Sequence, residues 1–325
     1  MWHCCRLPQV RESRKQAMLQ RSLLYVLASA LATALLINAA GFVGPLALVL
    51  LLAAPLPIAY VGLTRGWVLS VVAIVLAAAL ITVEDWQSAV QYLLVFAPGT
   101  LVVPELLRRR YFWDRAAAAG TFVTLGLIVP LGAVVAAGMG ENLTGLVRQL
   151  IAAEVSTAEK LYPSMQLPPE QLQELQRVGE MLIEWVPRLY PAFLAVSIGA
   201  VMLVMALGLR RAVQGTMPLP GPRFQEWKIP EQMVWGVIGS GFALIVPWSP
   251  LKVAALNLLI VLLPLYFLQG MAIISMFLTR RQMPPFVRGT VYLLIVILNP
   301  LPLLVTLLGV FDLWGDFRKP RVKNN

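Results

Sequence analysis

Histidine and cysteine are almost missing from this chain. Of its 325 residues one is His and two are Cys, and all three (His3, Cys4, Cys5) lie within the first five positions. Past that point there is no histidine base, no cysteine nucleophile and no disulfide framework to build on. The His-Cys-Cys run is a poor metal site, because adjacent cysteines give poor tetrahedral geometry. No metal and no cofactor is expected. Charge is scarce too, at 13% of residues against 59% hydrophobic. Ionisable groups inside apolar segments mark proton and ion pathways, and here they are nearly absent. That argues against proton-coupled carriers, intramembrane proteases and lipid-phosphate transferases, which need clustered polar groups. No catalytic motif or nucleotide loop is present, and an enzyme is not expected.

What the chain has instead is apolar length. Nine blocks stand out, at residues 22–39, 43–63, 67–83, 89–106, 116–138, 189–209, 233–247, 253–278 and 289–310. A helix needs about 20 apolar residues to span the hydrocarbon, and only helices or closed barrels satisfy their backbone in lipid. The runs are continuous rather than alternating, so the expected fold is all-α, a polytopic transmembrane bundle.

The net charge of +10 is distributed by loop. Seventeen Lys and Arg fall on one set of alternate loops, among them Arg6, Arg21, Arg65, Arg108–Arg110, Arg210, Arg211, Arg280 and Arg281. Five fall on the other: Arg148, Lys160, Arg177, Arg188 and Lys252. Cytoplasmic loops collect positive charge, which puts the N-terminus inside. The basicity is a topology signal; no basic face with interleaved aromatics suggests nucleic acid. Nine crossings would leave the four basic residues of the tail outside. The last block breaks at Asn299-Pro300-Leu301-Pro302, and proline bends helices. A bent or re-entrant hairpin there returns the tail to the cytoplasm. Alternatively, block 233–247 is too short to cross. Either gives eight spans.

Residues 1–17 read as an extension without a cleavable signal, with Met18 as the natural initiator. Residues 18–138 form a first membrane bundle, 189–310 a second, and 311–325 a basic tail. Between the bundles, 139–188 is expected to be an outer-side helical insertion. One helix carries Leu143, Leu146, Leu150, Ile151 and Val155. A second starts after Pro168-Pro169 and carries Leu172, Leu175, Val178, Met181, Leu182 and Trp185 on one stripe. The simplest reading packs that stripe on the protein's own spans. The others lay it on the outer leaflet, close it over the bundle, or give it to a partner.

Asn257 and Asn299 are the midplane polar candidates. Glycine and proline breaks at Pro98-Gly99, Pro104 and Gly236–Gly241 could line a pocket for an apolar or neutral ligand. In the first span Ala28 and Ala32, and Ala30 and Ala34, are spaced for close helix packing. The expected partners are membrane lipids and a membrane protein reached through span one or the 139–188 insertion.

From Pro191 onward, LYPAFLAVSIGAVMLVMALGLRR, PLPGPRFQEWKIPEQMVW and LGVFDLWGDFRK resemble the YybS-like family of predicted bacterial inner-membrane proteins. The matching motif positions are Pro191 at the opening of a span, then Phe224, Trp227 and Pro230, then Gly309, Asp312, Trp314 and Arg318. The resemblance implies eight spans and no defined activity. The first half, through PLPIAYVGLTRGWVLSVVAIVLAAAL, is similar to the substrate-capturing subunits of energy-coupling-factor vitamin transporters. It implies a transport-type component that docks a partner through Ala28 and Ala32. A scaffold or assembly factor is the alternative.

Overall fold

The computed structural model describes residues 7–83, 85–162, 168–315 and 317–318, and within them the chain is helical with no strand. His3, Cys4 and Cys5 lie outside the described residues. The chain divides into two compact units, Met1–Gly132 with Ser197–Gly221, and Ala133–Val196 with Pro222–Asn325.

The first unit begins with α1 (Leu7–Ala40), α2 (Ala47–Ala53) and α3 (Leu56–Arg65). Pro55 supplies no N–H at the α2–α3 junction, and Thr33 of α1 donates to the neighbouring Ala54 carbonyl at 3.0 Å. Gly66 separates α3 from α4 (Trp67–Thr82) with φ 110°, a conformation that favours glycine. Next come α5 (Trp86–Val95) and α6 (Ala97–Arg108). Asp85 caps α5, accepting from Ser88 Oγ at 2.7 Å, Ser88 N at 2.8 Å and Gln87 N at 3.1 Å. These bonds hold its pKa below the ordinary 3.8. The cap therefore stabilises the fold at neutral pH and weakens as acid protonates it.

α7 (Trp113–Gly138) and α9 (Pro169–Ala212) each pass from one unit into the other. In the first unit Met202 of α9 seats against Gly99 and Gly120, and Leu56 against Gly208. The Pro98-Gly99 break expected to line a pocket is thus filled by side chain.

One end of this unit gathers the basic loops. Arg65 Nη1 donates to Ser22 Oγ at 2.8 Å. The Arg108 guanidinium covers Gly66. Arg110 donates to the Pro218 carbonyl at 2.7 Å and Arg210 to that of Gly221 at 3.0 Å. Loops that share a charge excess therefore share an end, so α4 departs from that end and α5–α6 returns to it.

The second unit contains α8 (Leu143–Glu159), the first half of α9, α10 (Met233–Ile245), α11 (Ser249–Arg280), α12 (Pro285–Ile297) and α13 (Leu301–Gly315). Asn142 caps α8 by accepting from Gly145 N at 2.7 Å. The helix expected after Pro168-Pro169 does begin there, but nothing stops it at 188. It runs on through Pro187 and Pro191 for 44 residues. Pro191 therefore lies inside a helix that begins 22 residues before it. The stripe does not pack on the protein's own spans: Leu175, Val178, Met181, Leu182 and Trp185 are all exposed.

Among the described residues six helical stretches are long and apolar enough to cross a membrane, or seven if the bent pair α12–α13 is one span. Both expected counts, eight and nine, exceed this. Blocks 67–83 and 233–247 form helices of only 16 and 13 residues, short of the usual 20.

The bent pair turns through 103° at the Asn299-Pro300 break. Its contacts show where it goes. Tyr266 meets Gly309, Gln269 meets Asp312, and Arg280 Nη2 donates to the Arg318 carbonyl at 2.9 Å. From the crossing, where Tyr266 and Gly270 meet Gly309 and Val305, to the ends, where Arg280 meets Arg318, both numbers rise, so α13 runs alongside α11 in the same direction. The elbow lies beside Leu263, Pro264 and Phe267, at the middle of the 32-residue α11. The chain leaves the end of α11, climbs to mid-helix through α12, and returns to the same end through α13. The pair is a hairpin bent at the Asn-Pro-Leu-Pro break, with both arms meeting the same end of α11.

Candidate functional site

The polar centre of the second unit forms where α13 presses on α11. A Cβ built on Gly270 would overlap the Val305 carbonyl. One on Gly309 would overlap the Tyr266 carbonyl and sit 2.9 Å from the Gly270 nitrogen. Only two glycines permit that approach. The close crossing brings Gln269 of α11 under Gly309 and Asp312 of α13. Gln269 Nε2 donates to the Gly309 carbonyl at 3.0 Å and to Asp312 Oδ2 at 3.3 Å. Its Oε1 accepts from Ile229 N at 2.9 Å.

Arg318 closes the cluster from the tail. Its Nε lies 3.1 Å from Asp312 Oδ2. Nη1 donates to the carbonyls of Trp227 at 2.8 Å and Gln225 at 3.1 Å, and Nη2 approaches that of Gln269 at 3.5 Å. Asp312 is 1% exposed and Arg318 9%. Burying a carboxylate is costly unless it is paired, and here one guanidinium supplies the counter-charge while gripping the backbone of the 224–227 turn. Asp312 Oδ1 is buried without a hydrogen-bond partner. The arrangement ties four pieces of chain together: the loop before α10, α11, α13 and the tail.

The family-like motif positions divide by location. Trp227, Gly309, Asp312 and Arg318 converge on this cluster. Phe224 is half-buried in the adjoining turn, and Pro230 and Pro191 are exposed. Trp314 is 61% exposed at the end of α13, pointing away from the cluster that its motif neighbours Asp312 and Arg318 form. Gln269 was missed by sequence reasoning. The available signal was a second amide, after Asn257, in the apolar run 253–278, of the kind that bonds across membrane helices.

Asn257 lies two turns into α11, not at its middle. Its Nδ2 donates to the Arg188 carbonyl at 2.9 Å and its Oδ1 accepts from Ala192 N at 3.2 Å. These two groups are the ends of one helical rung of α9, next to Pro191, which has no N–H to give. Asn257→Leu is expected to cost about 1–3 kcal/mol by leaving those groups short of a partner. Thermal unfolding of the detergent-solubilised protein measures it. Asn299 sits exposed in the elbow.

In α1 the two alanine pairs point differently. Ala30 and Ala34 are buried in the first unit, whereas Ala28 is exposed and Ala32 half-buried. Of the glycines expected around a pocket in α10, Gly236 is filled by Leu262. An apolar recess opens instead at the hairpin elbow. It has a volume near 370 Å³ and is lined by Leu263, Pro264, Phe267, Val296, Pro302 and Thr306. The Thr306 hydroxyl proton is already given to the Pro302 carbonyl at 2.8 Å, so the side chains of the lining offer no free hydrogen-bond donor. Among the described residues no group of His, Cys, Asp and Glu could hold a metal ion.

A family model described as "Predicted membrane protein (DUF2232)" matches residues 30–313. The chain belongs to this family. No curated protein and no solved structure matches it. The part shared with the DUF2232 family takes in Trp227, Gln269, Gly309 and Asp312, and ends just short of Arg318. It also contains the path from α11 through the bend to the crossing of α13, so the hairpin elbow lies within the family's common region.

Proposed function

We propose that the protein is a transport-type component of a bacterial inner membrane, with its N-terminus and tail in the cytoplasm and its re-entrant hairpin as the working element. The observation that carries this reading is the hairpin elbow beside the middle of α11. Broken backbone at membrane depth is tolerated where protein covers it or a cavity opens beside it, and transporters build binding sites from such discontinuous helices. The apolar recess at the elbow suits an apolar or amphipathic ligand. The polar cluster holds the returning arm in register. The resemblance of the first half to energy-coupling-factor subunits agrees with this reading, and the outward face of Ala28 and Ala32 leaves a surface for a membrane partner.

The test is purification from native membrane with mass spectrometry of bound small molecules. A lipid-like compound should co-purify and be lost when Thr306→Trp fills the recess. A sample with no ligand sensitive to that substitution would sink the transport reading. A non-transporting scaffold would then be favoured, a reading that the exposed stripe of α9 supports.

The orientation has its own test. With α4 and α10 crossing as short spans, eight crossings place every basic loop on one side. Reporter fusions after residues 21, 65, 112, 220 and 284 should report cytoplasm, and fusions within 145–180 the outer side. A cysteine at residue 322, in a chain lacking Cys4 and Cys5, should stay unlabelled by an impermeant thiol reagent in cells with a permeabilised outer barrier. Labelling there would overturn the hairpin as the element that returns the tail.

A further inference from the structure

Three arginines at the basic end of the first unit have no counter-charge. Arg109 is spent on Glu105 at 2.8 Å, and Arg110 and Arg210 on the carbonyls of Pro218 and Gly221. Arg21, Arg65 and Arg108 are exposed, and among the described residues no carboxylate pairs with them. They surround the α3–α4 junction. Gly66 holds φ 110° there, and Arg108 Nη1 comes within 3.0 Å of the place a Cβ would take. Arg65, next in the chain, turns toward α1. Its Nη1 donates to Ser22 Oγ at 2.8 Å, and its guanidinium lies 4.7 Å from the centroid of the Tyr25 ring. That bond uses one of the five N–H donors of an arginine. Arg21 immediately precedes Ser22.

We infer that this patch binds the phosphate of an anionic phospholipid. Three features select that occupant. First, cations gathered without a counter-ion repel one another, and an anionic headgroup brings the missing charge where a zwitterionic one brings none. Arg65 and Arg108 offer the planar fork that suits phosphate. Second, the patch lies at a membrane boundary. The apolar runs 22–39 and 67–83 start beside it, and the run 89–106 stops just before Arg108. A lipid seated there has its headgroup at the arginines and its chains along the helices, which a free phosphate ion does not need. Third, Tyr25 and Trp67 flank the patch and are exposed, and such aromatics favour the headgroup level. Gly66 is the residue that admits Arg108: any side chain there would strain the junction and push the guanidinium aside. The site shares no residue with the elbow recess of the second unit, so it stands apart from the transport reading.

The test uses the full chain, delipidated in detergent, with native mass spectrometry to count retained lipid. Dioleoyl phosphatidylglycerol should be retained and should raise the unfolding temperature, and dioleoyl phosphatidylcholine should do neither. Arg65→Gln and Arg108→Gln should each weaken retention of the anionic lipid about fivefold, near the contribution of one basic residue beside an anionic surface. Arg108→Lys keeps the charge without the fork and should lose less. The lipid-free unfolding temperature of Arg108→Gln should equal that of wild type, since that guanidinium bonds no described residue. Arg211→Gln makes the same change in net charge at the same end of the unit and should leave retention unchanged. Equal retention of the two lipids, an equal loss for Arg211→Gln, or displacement of the anionic lipid by inorganic phosphate would each overturn the lipid site.

Discussion

Arg318→Ala is expected to destabilise the protein by about 3–5 kcal/mol, the usual cost of removing one partner from a buried ion pair. Asp312 is left charged with no counter-ion in a fully buried place. The carbonyls of Gln225 and Trp227 lose their donor at the same time. The readout is the unfolding transition of the purified protein in detergent, together with its accumulation in the membrane. Arg318→Lys should fall between wild type and Ala. A lysine keeps the charge, but it lacks the planar fork that reaches a carboxylate and two carbonyls together. The double variant Asp312→Ala with Arg318→Ala should cost less than the two single changes added, because the pair is one unit. Lys160→Ala, at an exposed site, is the comparison. If Arg318→Ala behaves like Lys160→Ala, the cluster does not hold the hairpin.

Gly309→Ala is expected to cost about 3 kcal/mol, at the upper end for an overpacked site. The obstacle is the backbone of α11, not a side chain that can swing away: the new methyl overlaps the Tyr266 carbonyl. α13 must lift off α11, and the bonds of Gln269 to Gly309 and Asp312 lengthen with it. The effect therefore reaches the cluster as well as the crossing. Gly289→Ala in α12 is the control, since nothing lies within 4 Å of its would-be Cβ. Equal unfolding temperatures for the two variants would mean that the helices do not meet as closely as the crossing requires.

Part of this was legible in the residues. The Asn-Pro-Leu-Pro break in the last block announced a bend, because proline removes donors wherever it falls. The loop charges announced which loops share an end. Trp227, Gly309, Asp312 and Arg318 stood out as motif positions, but their convergence did not. Asp312 and Arg318 are six residues apart, and a helix end between them decides whether they meet. Gln269 carried only the weak signal of one more amide, beside Asn257, in an apolar run. The stripe of α9 was visible at helical spacing, yet spacing alone does not say what covers it, and the expectation that the protein's own spans would do so failed. The four alanines of α1 showed the same limit. Two spacings fit close packing equally, and only burial separates Ala30 and Ala34 from Ala28 and Ala32.

The sequence by itself determined that this is a helical membrane protein, where its apolar segments lie and where the last of them breaks. These properties follow from local composition and from the cost of bare backbone in lipid, so each can be read within one segment. Only the tertiary structure decided that α13 runs beside α11 in the same direction, that the tail arginine turns inward to a carboxylate, and that the apolar stripe of α9 is left exposed. These depend on which helices touch. Among helices apolar on every side, hydrophobic pattern does not choose a neighbour. The choice is made by a few close fits, here Gly270 against Gly309, and by the polar groups that such a fit brings within reach.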